Sequence, residues 1–184
     1  MSTAGASPAG AAAPAAPIAR SVEAGDLLRA IQDLGITHVI TVPDTHQKTL
    51  LALLAAADEP RLLTVSTEDE AIAINAGLYI GGQRPMLLIQ NNGLLASLNA
   101  LKAIALDARV PTLLLVGQFH RDVTRTNVDT PVRAVRLVEP TLAAWDVPCY
   151  PIEGPEDVPL LAEAYRRAQQ DRGPAVALLG APTS

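Results

Sequence analysis

Four short segments hold most of the side chains that could do chemistry. Thr67-Glu-Asp-Glu70 places three carboxyl groups ahead of a stretch that stays small and apolar to Ile80. A carboxyl group in apolar surroundings can hold a proton or pass it on. Pro43-Asp-Thr-His46 adds a carboxyl, a hydroxyl and an imidazole, so Asp44 or His46 could move protons and Thr45 could hold a small molecule. Gln90-Asn-Asn-Gly93 offers three amides beside a residue with no side chain. Gln118-Phe-His-Arg-Asp122 brings His120 and Arg121, and a guanidinium can pair with a sulfonate, phosphonate or carboxylate.

Each segment also has a purely structural reading. Thr67-x-x-Glu70 fits a capping box, with Thr67 as the cap and Glu70 reaching back, and Glu68 and Asp69 would complement the positive end of a helix. Asp44 or Thr45 could cap the next helix. Asn91-Asn92-Gly93 also reads as a turn, and Arg121 as a solvated loop residue. His38 reads as a packed or edge histidine, and Trp145 as core or interface.

These segments need a scaffold, and apolar periodicity supplies one. Leu27, Leu28, Ile31 and Leu34 share a face of a helix over Val22 to Leu34, which Gly35 closes in a left-handed cap. Strands are expected at Ile36–Val42, Leu62–Val65, Pro85–Ile89, Thr112–Val116, Val147–Ile152 and Pro174–Leu179. Between them fall helices ending near Leu54 and spanning Glu68–Ile80, Leu94–Leu106, Val132–Ala144 and Val158–Gln169. Apolar strands alternating with helices imply an α/β fold with a doubly wound, mainly parallel sheet of about six strands. Ligands of such sheets bind outside the strands' carboxyl ends, where the loop Gln118-Phe-His-Arg-Asp122 falls.

The 184 residues are 49% hydrophobic and 18% charged, enough apolar material for one core. A single domain over residues 19–184 is expected, after an Ala/Pro-rich disordered tail at 1–18. A net charge of −5 with scattered Lys and Arg excludes a nucleic-acid footprint. The longest aliphatic run, Leu50 to Ala57, falls well short of the roughly 20 residues a bilayer needs. One cysteine, Cys149, allows no internal disulfide and no Cys-based zinc site, and a cytoplasmic location is expected.

Taken in order, Val42-Pro-Asp-Thr45, Thr67-Glu-Asp-Glu-Ala-Ile-Ala-Ile-Asn-Ala-Gly77, Gln90-Asn-Asn-Gly-Leu-Leu-Ala-Ser-Leu-Asn-Ala-Leu101 and Leu113-Leu-Leu-Val-Gly117 resemble a known family. It is that of the sulfopyruvate decarboxylase alpha subunit and the matching domain of phosphonopyruvate decarboxylase, and the likeness runs over roughly residues 22 to 180. The resemblance implies a pyrimidine-binding domain of a thiamine-diphosphate enzyme. In that family a Glu stands nine residues before a helix Gly, the spacing of Glu68 and Gly77. It implies that Glu68 hydrogen-bonds the aminopyrimidine and promotes the form that deprotonates the thiazolium carbon. It places Asn91, Asn92 and Gly93 beside the cofactor and the turn Pro43-Asp44-Thr45-His46 at the mouth of the site, with Asp44 or His46 available for proton transfer and Thr45 for the substrate. His120 and Arg121 are candidates for proton transfer and a substrate anion from their position at a strand end alone. The implied reaction is decarboxylation of a small acidic 2-oxoacid.

Departures from the family pattern cluster in the same segments. Its Asn-Glu-Gly-Glu is here Thr67-Glu-Asp-Glu70, its Gly-Leu-Gly-Asn-Ser-Leu-Asn is Gly93-Leu-Leu-Ala-Ser-Leu-Asn99, and its Gly-x-Arg-Gly is Gly117-Gln-Phe-His-Arg-Asp122. They leave room for another 2-oxoacid, a lyase or carboligase reaction, or a non-catalytic regulatory or scaffolding paralogue. The Gly-Asp-Gly and Asn-Asn pair that holds magnesium and diphosphate has no counterpart, since Gly25-Asp26 is followed by Leu27 within a helical pattern. The resemblance therefore implies a beta subunit that carries the Mg2+ and diphosphate site, with the active centre between the two chains.

Overall fold

The computed structural model describes residues 17–184, so most of the expected tail, residues 1–16, lies outside the described residues. From Ile18 the chain is pinned, the Ile18 and Ala19 amides both donating to Val123 O at 2.7 and 3.1 Å.

Six strands form one sheet: β1 (His38–Thr41), β2 (Arg61–Thr64), β3 (Pro85–Gln90), β4 (Thr112–Gly117), β5 (Cys149–Ile152) and β6 (Pro174–Leu179). Every pairing is parallel, and the order is β2-β1-β3-β4-β6-β5. The expected fold is the observed one. Alternation along the central strands feeds two cores. Val39, Leu88 and Leu115 face α1 (Ala24–Asp33), α2 (Lys48–Ala56) and α8 (Leu160–Asp171), meeting Leu27, Ile31, Leu50, Leu54 and Leu161. Ile40, Leu87, Ile89, Leu114 and Val116 face the other way, onto Ile72 of α3 (Glu68–Ile80), Leu101, and Leu142 of α7 (Val138–Ala144). With both faces covered, the middle strands read as unbroken apolar runs rather than alternating ones.

The outermost strands differ from the middle ones. Each has four residues and only partial burial; β2 begins with exposed Arg61, and β5 contains Pro151.

Three elements depart from the sequence reading, each for a local reason. The expected helix at Leu94–Leu106 starts earlier, as α4 (Asn91–Ala96), then continues as α5 (Leu98–Ala100) and a π-helical stretch, Leu101–Asp107. Ser97 sits at the break and turns its hydroxyl back onto Gly93 O (2.8 Å) and Leu94 O (3.2 Å), a bond that competes with the helical ladder. The helix at Val132–Ala144 splits into α6 (Arg133–Arg136) and α7, because Pro140 has no N–H to offer the preceding turn. β5 begins at Cys149 rather than Val147, after the positive-φ residue Asp146. α1 meets expectation more closely. It ends at Asp33, and Gly35 adopts φ +65° with its N–H on Gln32 O at 2.8 Å.

Candidate active site

Strand order reverses between β1 and β3: β1 connects outward to β2, and β3 begins the run the other way. At such a switch point the crossovers diverge to opposite faces and leave a crevice at the strands' carboxyl ends. The segment after β1 delivers Asp44 and His46 there, the end of β3 delivers Gln90, and the first turn of α3 delivers Glu68.

Glu68 opens α3 because Thr67 caps it. The Thr67 hydroxyl accepts from the Glu70 amide (3.4 Å), and the Glu70 carboxylate accepts from the Ser66 amide (2.9 Å). The capping box thus belongs to Thr67 and Glu70, with the return bond one residue earlier than the usual pattern. Asp69, fully exposed, is held below its ordinary pKa chiefly by the Thr67 hydroxyl. Neither duty involves Glu68. Half-buried, its carboxyl leans on Gly93, where a Cβ would land inside the carboxyl group. The two residues face a cleft of about 320 Å³ whose other walls are Val42, Pro43, Gln90, Asn92 and Ala96. One carboxyl on an apolar, amide-edged wall suits a flat heteroaromatic ring with donor and acceptor nitrogens.

Asp44 is 5% exposed, and its Oδ1 accepts from the His46 amide (3.0 Å) and from Gln90 Nε2 (2.9 Å). The bond to His46 is an Asx turn, so neither Asp44 nor exposed Thr45 caps α2, whose N-cap is Gln47. Asp44 Oδ2, His46 Nε2 and Gln47 Oε1 are buried with no hydrogen-bond partner among the described residues. The three side chains crowd Gly117 at the end of β4, where a Cβ would come within 2.9 Å of the imidazole, 3.0 Å of Asp44 Oδ2 and 3.0 Å of Gln47 Nε2. Only glycine lets the turn after β1 sit this close to β4.

Burial holds the His46 imidazole below its ordinary value of 6.5, against the opposing effects of Asp44 and the Leu179 and Ala181 backbone, with Arg121 lowering it further. A histidine depressed on folding binds its proton more readily when unfolded, so it adds stability above 6.5 that is lost as pH falls through the folded value. Urea unfolding at pH 7.5 and 5.5 is therefore expected to show a smaller acid loss of stability in His46→Gln than in the parent chain. An equal loss in both would remove His46 as the cause.

Of the remaining candidates Asn92 lines the cleft, while Asn91, His120 and Arg121, like Asp44 and His46, do not. Asn91 is buried, but it donates to Phe119 O (3.3 Å) and accepts from the Asn92 amide (3.0 Å), which ties α4 to the loop after β4. Asn91 and Asn92, read also as a turn, form the first turn of a helix. His120 is exposed in a left-handed conformation (φ +64°) with its ring stacked on Phe119 at 3.8 Å. Arg121 corrects the picture of a solvated or freely available guanidinium. Its side chain is 2% exposed and pairs with Glu153 at 2.7 Å. It borders a separate cleft of about 220 Å³ with Asn127 and Glu139. Glu153, 32 residues further along the chain, neutralises the charge a substrate anion would have used.

Sequence reasoning gave Gln90 no role of its own and passed over Gln47. A glutamine closing an otherwise apolar strand was the available signal for Gln90. Gln47, fully buried with Nε2 on Ile89 O (3.0 Å), had none. A larger cleft, about 580 Å³, lies at the opposite end of the sheet beside Arg84 and Tyr165, and no carboxylate lines it. Cys149, the lone thiol, is pushed up to about 12 by burial and then by Glu139, which leaves it a poor nucleophile. No helix among the described residues is long and apolar enough to cross a membrane.

The chain is similar to known proteins. The sulfopyruvate decarboxylase subunit alpha of Methanocaldococcus jannaschii is 28% identical over 131 residues, covering 71% of this chain and 76% of that protein. Phosphonopyruvate decarboxylase of Streptomyces hygroscopicus is 33% identical over 94 residues, 51% of this chain but 23% of that protein. Among solved structures, benzoylformate decarboxylase from Polynucleobacter necessarius superposes with a TM-score of 0.67 at 22% identity over 86% of this chain. This chain spans 30% of that one, so the superposition speaks to the fold of one domain. The family described as thiamine pyrophosphate enzyme, N-terminal TPP binding domain, matches residues 24–134. That match takes in Glu68, Asp44, Gln90 and Gly93 together, and the chain belongs to this family of thiamine pyrophosphate enzyme domains.

Proposed function

We propose that this chain is the pyrimidine-binding subunit of a two-chain, thiamine-diphosphate-dependent decarboxylase of a small 2-oxoacid, with Glu68 as the group that activates the cofactor. The observation that carries the proposal is the Glu68 carboxyl laid against Gly93 at the mouth of the switch-point cleft. Glu68 is not consumed by helix capping, so its carboxyl is available to hold a proton on a ring nitrogen. Val42, Pro43 and Ala96 supply apolar contact and exclude water from one side of the ring, while Gly93 lets the carboxyl approach. Thiamine diphosphate, when bound, supplies the nucleophilic carbon and accepts the electrons left behind as carbon dioxide departs. We assign proton transfer at the neighbouring carbon centre to Asp44 and His46, a reading supported by Oδ2 and Nε2 being buried without a hydrogen-bond partner among the described residues.

We assign the diphosphate and its Mg2+ to a partner subunit. Gly25-Asp26, the chain's one Gly-Asp pair, lies in α1, where Asp26 is ion-paired to Arg29. The relative from M. jannaschii is itself named a subunit alpha, which supports a second chain here. Relatives named for sulfopyruvate and phosphonopyruvate support an acidic 2-oxoacid. A second anionic group on that substrate would have to find its cation elsewhere than Arg121, which Glu153 already occupies.

The test is recovery of the tagged chain from its native host, with assay of the sample for bound thiamine diphosphate and identification of what co-purifies. The expected result is a stoichiometric partner carrying Gly-Asp-Gly and Asn-Asn, with cofactor in the complex. Recovery of the chain alone and without cofactor would overturn the two-chain reading. A partner that decarboxylates equally well without this chain would make the chain a scaffold.

A further inference from the structure

One side chain of the cleft reaches both Asp44, after β1, and Asn92, in α4. Gln90, the last residue of β3, donates from Nε2 to Asp44 Oδ1 at 2.9 Å, and its Oε1 accepts from Asn92 Nδ2 at 2.8 Å. Asp44 Oδ1 also accepts the His46 amide at 3.0 Å, so two donors hold one oxygen while Oδ2 is buried and unpartnered among the described residues. The network fixes the orientation of the Gln90 amide. Its NH2 must face the carboxylate, which only accepts when ionised, and its oxygen must face the Asn92 NH2. Gln90 itself lines the cleft beside Glu68, Asn92 and Gly93.

We propose that Gln90 is a positioning residue that clamps Oδ1 of Asp44 and thereby fixes the direction of Oδ2, which is buried toward Gly117, tying that orientation to α4 through Asn92. The inference rests on the proposed function of the same cleft. Asn92 is a local partner, two residues on, but Asp44 lies 46 positions away on the other side of the switch point. The bond therefore locks the turn after β1 to the end of β3, across the crevice between them. Without it the carboxylate would keep one donor, from its own Asx turn, and could swing about the Cβ–Cγ bond.

A double-mutant cycle in the assembled enzyme tests this, with Gln90→Leu, which keeps much of the bulk and removes the amide, against Asp44→Ala. The loss of a hydrogen bond to a charged group is expected to lower kcat about tenfold to hundredfold in Gln90→Leu, with KM and thiamine diphosphate affinity by calorimetry within about twofold of the parent. Added to Asp44→Ala, Gln90→Leu is expected to cost nothing further. Losses that multiply in the double variant, or a loss of cofactor affinity in Gln90→Leu, would overturn the positioning role. A second readout needs no variant at position 90: in the full chain, NMR is expected to show Gln90 side-chain amide protons protected from exchange, and released by Asp44→Ala. Unprotected protons in the parent chain would also overturn it. Glu68→Gln run in parallel separates the two levels. If that variant stays active, the proposed function of the cleft fails; if it is inactive and the cycle is additive, the Gln90 inference alone fails.

Discussion

Glu68→Gln in the assembled enzyme is expected to lower turnover by about 10²- to 10⁴-fold, the range by which a positioned proton-transfer group accelerates a reaction. The variant is isosteric, and Thr67 and Glu70, which build the cap, are untouched. α3 should therefore form and the complex assemble, as size-exclusion chromatography would show. Steady-state turnover with the native partner is the decisive measurement. Near-parent activity would remove Glu68 from the mechanism, whatever the fold. Loss of assembly along with activity would mean that the residue holds the interface instead.

A comparable loss is expected from Gly93→Ala, although it alters no functional group. A methyl at position 93 would overlap Glu68 at Cγ, Cδ and Oε1, so the carboxyl must rotate off its seat or α4 must move. Misplacing a catalytic group by about 1 Å can cost on the order of a hundredfold. The matching control is Gly77→Ala, also within this region but on an open part of α3, where a Cβ would meet nothing within 4 Å. In the chain alone that change is expected to stabilise the helix by about 0.5–1 kcal/mol. The contrast is read by cofactor-dependent turnover for position 93 and by thermal melting for both. Full activity in Gly93→Ala would show that the Glu68 carboxyl does not need this seat.

The sequence carried the fold well because its signals are local and repeated. Continuous apolar runs such as Pro85–Ile89 and Thr112–Val116 can hardly be anything but strands buried on both faces, and the order of elements followed. Gly35 announced the end of α1, and Thr67-x-x-Glu70 announced the start of α3. Where the reading went astray, the deciding partner was distant. Asn91-Asn92-Gly93 has the composition of a turn but forms a helix, with Asn91 bonded to Phe119 and Gly93 packed on Glu68, two contacts that no local pattern displays. Arg121 looked like a loop cation because Glu153 comes from the far side of β5. The same holds for Gln90, whose polar atoms acquire meaning only once Asp44 is opposite.

The outermost strands bear on how this chain behaves before it meets another. An open strand edge is a template for further strands, and proteins avoid aggregation by making edges short, charged or deficient in donors. Arg61 puts a charge at the start of β2, and Pro151 removes an N–H from β5. Extension of the sheet into a neighbouring molecule is thereby discouraged at both sides. Any assembly is left to helix faces and loops.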